Sequence, residues 1–274
     1  MLKPIKDYQA LLHTQKRHKS LIVTDLHLGW EISLAEKGIH IPSQTTKILQ
    51  KLLRIVDMTN PQTLIILGDV KHTIAKAEPG EWKDIPEFFE ALKAKVDDIR
   101  IIRGNHDGNL EPLIPDDVGL HPSNGIALNA VGLFHGHTWP AKKLLNSTQL
   151  IMGHVHPTVS FRDVLGFRIT APVWIKIKFD NERFETPHLK ENHAKTGTSR
   201  NTGREPFEKP RVKQLLIMPC FNDFLRGRPI NKEDGRKNQI GPVLRSKATN
   251  IEKGEVYLLD GTFLGTVEQL KALS

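Results

Sequence analysis

Lys19-Ser20-Leu21-Ile22-Val23-Thr24-Asp25-Leu26-His27-Leu28-Gly29 passes from a short apolar run straight into side chains that ligate metals, and its reading decides the fold. The pattern recurs twice downstream. The β-branched runs Thr63 to Leu67 and Ile99 to Ile102 lead into Gly68-Asp69 and into Arg103-Gly104-Asn105-His106-Asp107. Runs of this length and composition predict strands. Between the first two, Ser43 to Met58 places Ile48, Leu49, Leu52, Leu53 and Val56 at helical spacing, with Ser43 after Pro42 as the expected N-cap. Asp84 to Val96 carries Ile85, Phe88, Phe89 and Leu92 with the same period and predicts a second helix. Strand, helix, strand, helix, strand is the βαβ rhythm of a sheet whose functional loops lie at the carboxyl ends of its strands.

Beyond Gly125 the rhythm changes. Apolar runs at Ile126 to Phe134, Gln149 to Met152, Val173 to Phe179, Val212 to Met218 and Glu255 to Leu259 have little helix between them, apart from a short candidate at Pro140 to Asn146. They predict a second sheet, rich in antiparallel pairs, packed on the first. Two polar or basic segments, 188–210 and 226–247, read as protruding loops within one domain spanning 1–274. A tolerated insertion explains such a loop; so does a basic arm that follows a phosphate backbone.

Composition narrows the class. Of 274 residues, 38% are hydrophobic and 26% charged, which fits a globular protein. Met1 to Ser20 has no apolar stretch of signal-peptide length, and no window approaches the ~20 apolar residues needed to cross a bilayer. Cys220 is the sole cysteine, which excludes an internal disulfide and a thiolate metal cage. A cytoplasmic location is expected. The net charge of +8 favours polyanionic partners, nucleic acid among them, although it also fits a simply basic protein.

The strand-end residues carry the chemistry. On an extended segment Asp25 and His27 project to one side, so the pair can grip one metal. Asp69 ends the next strand, and a carboxylate is suited to bridging two cations ~3.5 to 4 Å apart. Asn105 offers an amide oxygen; His135 of His135-Gly136-His137, with His154 and His156 of Gly153-His154-Val155-His156, offers imidazole. This mixed nitrogen and oxygen set suits Mn, Fe, Zn, Co or Ni rather than Ca or Mg. A two-metal site that cleaves phosphoesters requires such a set. Gly29, Gly68, Gly104 and Gly153 are read as letting the backbone turn tightly beside the metals.

In this order the motifs D-x-H, G-D, G-N-H-D, H-G-H and G-H-x-H, spanning Asp25 to His156, resemble the calcineurin-like metallophosphoesterase superfamily. Trp30-Glu31, Gly38-Ile39, Ile41-Pro42, Val70-Lys71-His72 and Pro219-Cys220-Phe221-Asn222 are similar to an archaeal-type branch, related to the bacterial phosphoesterases of DNA ligase and helicase operons. The resemblance implies an α/β fold of two mixed β-sheets packed as a sandwich and flanked by helices, in four layers. It implies that Asp25, His27, Asp69 and His156 hold one divalent metal and Asp69, Asn105, His135 and His154 a second, manganese being favoured. It further implies that a hydroxide bridging the metals attacks phosphorus in line, and that His106 protonates the leaving oxygen or stabilises the transition state. Asp107 is expected to orient His106 or a ligand histidine. His72 stands where many members carry Asp or Asn three residues after the bridging Asp, so it is a candidate substrate contact. Arg103 and His137 are further candidates, each with a structural alternative, an ion pair for Arg103 and packing for His137. Trp139 either stacks on a base or packs; His121 and His188 are expected at the surface.

The leading expectation is a phosphodiesterase acting on nucleic acid or nucleotides, with single-stranded or damaged DNA as substrate and a repair helicase or ligase as partner. Phosphomonoester hydrolysis of a small metabolite uses the same centre, and the residues do not separate the two. A non-catalytic scaffold on this fold need not keep a complete ligand set; here all seven ligand positions and His106 are filled.

Overall fold

The computed structural model describes residues 1–35, 37–74, 79–184, 210–225, 227–232 and 241–273. Nearly all of the expected loop 188–210, His188 included, lies outside the described residues, as do residues 226 and 233–240 of the second. The described end of 226–247 does not protrude, since it forms the helical turn Pro242–Arg245 with Val243 and Leu244 buried. The first sheet has 6 strands in the order β1 (Leu2–Pro4), β2 (Leu11–Gln15), β3 (His18–Val23), β4 (Thr63–Ile66), β5 (Asp98–Ile102) and β6 (Gly119–His121). From β3 onward all neighbours are parallel, and β1 and β2 extend the edge as an antiparallel hairpin. Three helices follow the strands: the single turn α1 (Ile32–Ala35), α2 (Thr45–Thr59) and α3 (Pro79–Lys93).

The second sheet has 8 strands. Its main order is β14 (Phe263–Thr266), β13 (Glu255–Leu258), β11 (Arg168–Lys178), β12 (Gln214–Ile217), β9 (Gln149–Met152), β8 (Val131–Leu133) and β7 (Ile126–Leu128), with β10 (Thr158–Arg162) paired to β11. Its pairing is mixed. Strand β9 lies parallel to both β8 and β12, and the other pairs are antiparallel. Helices α4 (Pro242–Arg245) and α5 (Val267–Ala272) accompany it.

Side-chain alternation sorts the apolar residues into layers. Leu21, Val23, Leu64 and Ile66 face α2 and α3, meeting Leu52, Ile55, Ile85, Phe88 and Phe89. Their neighbours Ile22, Ile65 and Leu67 face the other way, against Leu133, Ile151, Trp174 and Met218 of the second sheet. The outer face of that sheet, with Leu150, Ile175 and Ile217, is covered by Leu144, Val243, Leu244 and Leu270. The result is the expected sandwich of two mixed sheets flanked by helices. Among the described residues no helix is long and apolar enough to cross a membrane.

Local expectations shift in three places. Helix α2 starts at Thr45 and its N-cap, Gln44, makes no side-chain cap; Ser43 lies one residue earlier and accepts the Thr45 amide at 3.3 Å. Helix α3 begins at Pro79, ahead of the apolar periodicity, because proline fits the first helical turn, where its missing N–H costs nothing. The short helix expected at Pro140 to Asn146 is a 3₁₀ segment, Lys142–Asn146.

Candidate metal centre

The two sheets present the carboxyl ends of their parallel strands to one place. Asp25 and His27 follow β3, Asp69 follows β4, Asn105 and His106 follow β5, His135 follows β8, and His154 and His156 follow β9. Three groups form there among the described residues, each with its ligand atoms within 4.8 Å of one another: Asp25, His27, Asp69 and His156; Asp69, His135 and His154; and His27, His72 and His106. Asp69 belongs to the first two. Its Oδ2 lies 3.5 Å from His27 Nε2 and 3.4 Å from His135 Nε2. Asn105 joins the second group through Oδ1, 3.2 Å from His135 Nε2. In the first group His156 Nε2 lies 3.2 Å from Asp25 Oδ1 and 3.3 Å from His27 Nε2.

The backbone achieves this convergence unexpectedly. Asp25 (φ 56°), His27 (φ 45°), Asp69 (φ 53°), His154 (φ 68°) and His156 (φ 48°) all adopt the left-handed conformation that L-residues ordinarily avoid. Asp25 and His27 therefore do not sit on an extended segment; two left-handed residues bend the chain so that both side chains turn inward. Conformations of this kind cost of order 1–3 kcal/mol each and collect at functional sites. Two glycines give the loops room. A Cβ on Gly104 would fall on the Asp69 carboxylate, and one on Gly153 would meet the side chains of Thr24 and Asp25.

Hydrogen bonds fix the ligand orientations. His135 Nδ1–H donates to Leu67 O at 2.6 Å, which leaves Nε2 for the centre. The Asp25 carboxylate accepts from Thr24 Oγ1 at 2.8 Å and from the His154 amide at 3.1 Å. His106 Nδ1–H donates to His72 O at 2.5 Å, and its Nε2 stands 4.0 Å from Asp69 Oδ2.

Asp107 does something other than expected. Its buried carboxylate orients no imidazole; it accepts the amides of Asp69 (2.8 Å), Val70 (2.8 Å), Lys71 (3.5 Å) and Gly104 (2.7 Å). Backbone amides, not side chains, are the donors that crowd this point, so Asp107 ties the Asp69 loop to the Asn105 loop. Burial, reinforced by the Asp69 charge, pushes its carboxyl up to about 6.

Electrostatics suit cation binding. Burial drives the His27 imidazole down to about 3, and burial with the His135 charge drives His154 down to about 4, so both present lone pairs. Burial works against His135 too, but Asp69 and Asp25 outweigh it and hold its proton up to about 9. Burial raises the Asp69 carboxyl, yet the pull of His135 and its neighbours prevails and leaves it below the ordinary carboxylate range. A buried carboxylate shared by imidazoles on two sides is what a pair of borderline divalent ions requires, and the donor set fits them. Metal binding displaces the ligand protons.

The remaining candidates divide. His72 and His137 border the centre. His72 stacks on His106 at 5.6 Å, and His137 meets His135 edge-on at 5.2 Å; burial brings each down to about 4. Arg103 is engaged elsewhere, its guanidinium paired with Glu111 and reaching Asp107 O at 3.5 Å. Trp139 packs against Phe184, and His121 is half-buried in β6 rather than exposed.

Sequence reasoning assigned no role to the loop after β12. Asn222 Nδ2 donates to Leu26 O at 2.9 Å and the Cys220 thiol to Asp25 O at 3.1 Å, so this loop holds the backbone of the Asp25–His27 segment. The Pro219-Cys220-Phe221-Asn222 run was the available signal. Lys71 was missed altogether: its side chain is fully buried, with its ammonium donating to Thr73 O. A cavity of ≈ 140 Å³ opens beside His156, between Thr158, Cys220 and Asn222.

Residues 18–197 match the family described as calcineurin-like phosphoesterase. Among solved structures the chain is similar to the nuclease MPE of Pseudomonas putida, at 20% identity and a TM-score of 0.53, over 96% of this chain and 100% of that one. It also matches YfcE, a phosphoesterase from E. coli, at 23% identity and a TM-score of 0.34, over 53% of this chain and 73% of that one. The first is a likeness of fold; the second is too loose in shape to carry an argument. No curated protein matches the chain significantly.

Proposed function

The chain belongs to the calcineurin-like phosphoesterase family, and on that premise we propose that it is a dinuclear-metal phosphodiesterase acting on nucleic acid. One observation carries the reading: Asp69 Oδ2 stands between His27 Nε2 (3.5 Å) and His135 Nε2 (3.4 Å), so a single carboxylate serves two ligand groups. Asp25, His27, Asp69 and His156 would hold one metal, and Asp69, Asn105, His135 and His154 the other. Bound there, divalent ions, manganese for preference, neutralise phosphoryl oxygens and lower the pKa of water toward about 7.

The chain's own residues complete the site. His106, its Nδ1–H committed to His72 O, keeps Nε2 to carry a proton to the leaving oxygen. His72 and His137 line the approach and contact the substrate. Asp107 acts on the reaction by positioning the Asp69 and Asn105 loops.

Nucleic acid is favoured as substrate by the net charge of +8. The nuclease among the structural neighbours points the same way. The motif likeness to phosphoesterases of ligase and helicase operons makes DNA-processing proteins in the cytoplasm the partners to seek.

Mn²⁺-dependent hydrolysis of bis-p-nitrophenyl phosphate beside p-nitrophenyl phosphate, with His154→Ala as control, tests this. The expected result is turnover of the diester in preference, lost in the variant. A preference for the monoester would redirect the search to small phosphometabolites, and no turnover with any transition metal would favour a scaffold.

A further inference from the structure

Strand β10 begins at Thr158, two residues beyond His156, and runs outward from the metal centre paired with β11 in unbroken register to Arg162 and Arg168. The turn that joins the strands satisfies itself. Asp163 Oδ1 accepts the amides of Leu165 and Phe167 at 2.9 and 2.8 Å, while Gly166 (φ 86°) donates its amide to Asp163 O at 2.9 Å. With its backbone needs met, the turn displays large apolar side chains to solvent. Val164 is 101% exposed, Leu165 78%, Phe167 68% and Ile169 57%. Large apolar side chains gathered on one exposed turn mark a candidate interaction site. At the neck Arg162 and Arg168 stand directly opposite one another, an arrangement of like charges that weakens a strand pair. Neither has an ion-pair partner among the described residues.

We propose that this hairpin is a wedge for the end of a nucleic-acid duplex: the apolar tip covers the terminal base pair, the two arginines hold the flanking phosphates, and one strand is led to the metals. The inference rests on the phosphodiesterase reading above. Three features select this occupant. Planar guanidinium groups match phosphate geometry and remain charged. Aromatic and aliphatic side chains stack on bases or insert between base steps and kink a duplex. The hairpin is also rooted at the catalytic centre: at about 3.3 Å per residue, the six steps from His156 to Arg162 span roughly 20 Å, the reach of a few nucleotides.

Fluorescence anisotropy with metal-stripped protein compares a forked duplex with its single strand, for the wild type, a Val164→Ser/Leu165→Ser/Phe167→Ser variant and an Arg162→Ala/Arg168→Ala variant. All replaced side chains are exposed, and unchanged circular dichroism and unchanged bis-p-nitrophenyl phosphate turnover verify an intact fold and centre. The wild type is expected to prefer the fork by about tenfold, and the serine variant to bind fork and strand alike. The arginine variant should bind the fork more weakly with a shallower salt dependence. With Mn²⁺ added, wild-type cuts should fall at a fixed offset of a few nucleotides from the junction. The proposal is overturned if the wild type shows no fork preference, if the serine variant keeps it, or if the tip instead delivers the protein to anionic vesicles. Absent diester turnover in the wild type would sink the catalytic reading alone, since the binding comparison needs no chemistry.

Discussion

Asp107 and His106 are neighbours in sequence, and their variants should behave differently. Asp107→Ala strips the acceptor from the amides of Asp69, Val70, Lys71 and Gly104. A buried donor left without a partner costs about 1–3 kcal/mol, so the variant should melt well below the wild type and bind Mn²⁺ about 10- to 100-fold more weakly. Calorimetry and metal titration check both. His106→Gln should leave melting and metal affinity alone and lower diester kcat by about 10²- to 10⁴-fold, the usual worth of a positioned proton donor. Gly104→Ala should abolish metal binding, because its methyl would occupy the space of the Asp69 carboxylate. At this scale the sequence was legible where residue type decides the chemistry: the motifs carrying Asp25, His27, Asp69, Asn105, His135, His154 and His156 end at one place in the fold, and their service as metal ligands is the proposal that metal titration tests. It was silent where conformation decides. Nothing in Asp-Leu-His announces two left-handed residues, and Asp107 reads as a partner for histidine because its amide partners belong to the backbone, which no motif records.

Strands β3, β4 and β5 were readable as short, largely apolar and β-branched runs that the fold covers on both faces, and helices α2 and α3 by an uninterrupted 3.6-residue period. The first turn of α3 was not, since Pro79 and Gly80 precede its apolar stripe. The parallel placement of β9 between β8 and β12 was also hidden: pairing partners depend on crossovers, and a short apolar run looks the same either way. The β1–β2 and β10–β11 hairpins escaped for a related reason, as their alternation is blurred by exposed apolar residues such as Ile169. Helix α3 supports the Asp69 loop's sheet through Phe89, which is completely buried against that core. Phe89→Ala should cost about 3–5 kcal/mol in denaturant unfolding while metal stoichiometry in the folded fraction stays unchanged.

For the whole molecule, the centre lies where two sheets meet, so its ligands come from five separate strand ends. Metals held there join the sheets in the native state and not in the unfolded chain. Chelation should therefore lower the melting temperature, and Mn²⁺ at 100 times its Kd should restore about 2.7 kcal/mol, read as a concentration-dependent rise in Tm. The shared carboxylate is the element on which everything else depends. Isothermal titration of metal-stripped protein with Mn²⁺, for the wild type and Asp69→Ala, tests it most directly. The account predicts two equivalents bound by the wild type and neither bound tightly by the variant; a single wild-type equivalent, or two retained without Asp69, would contradict it.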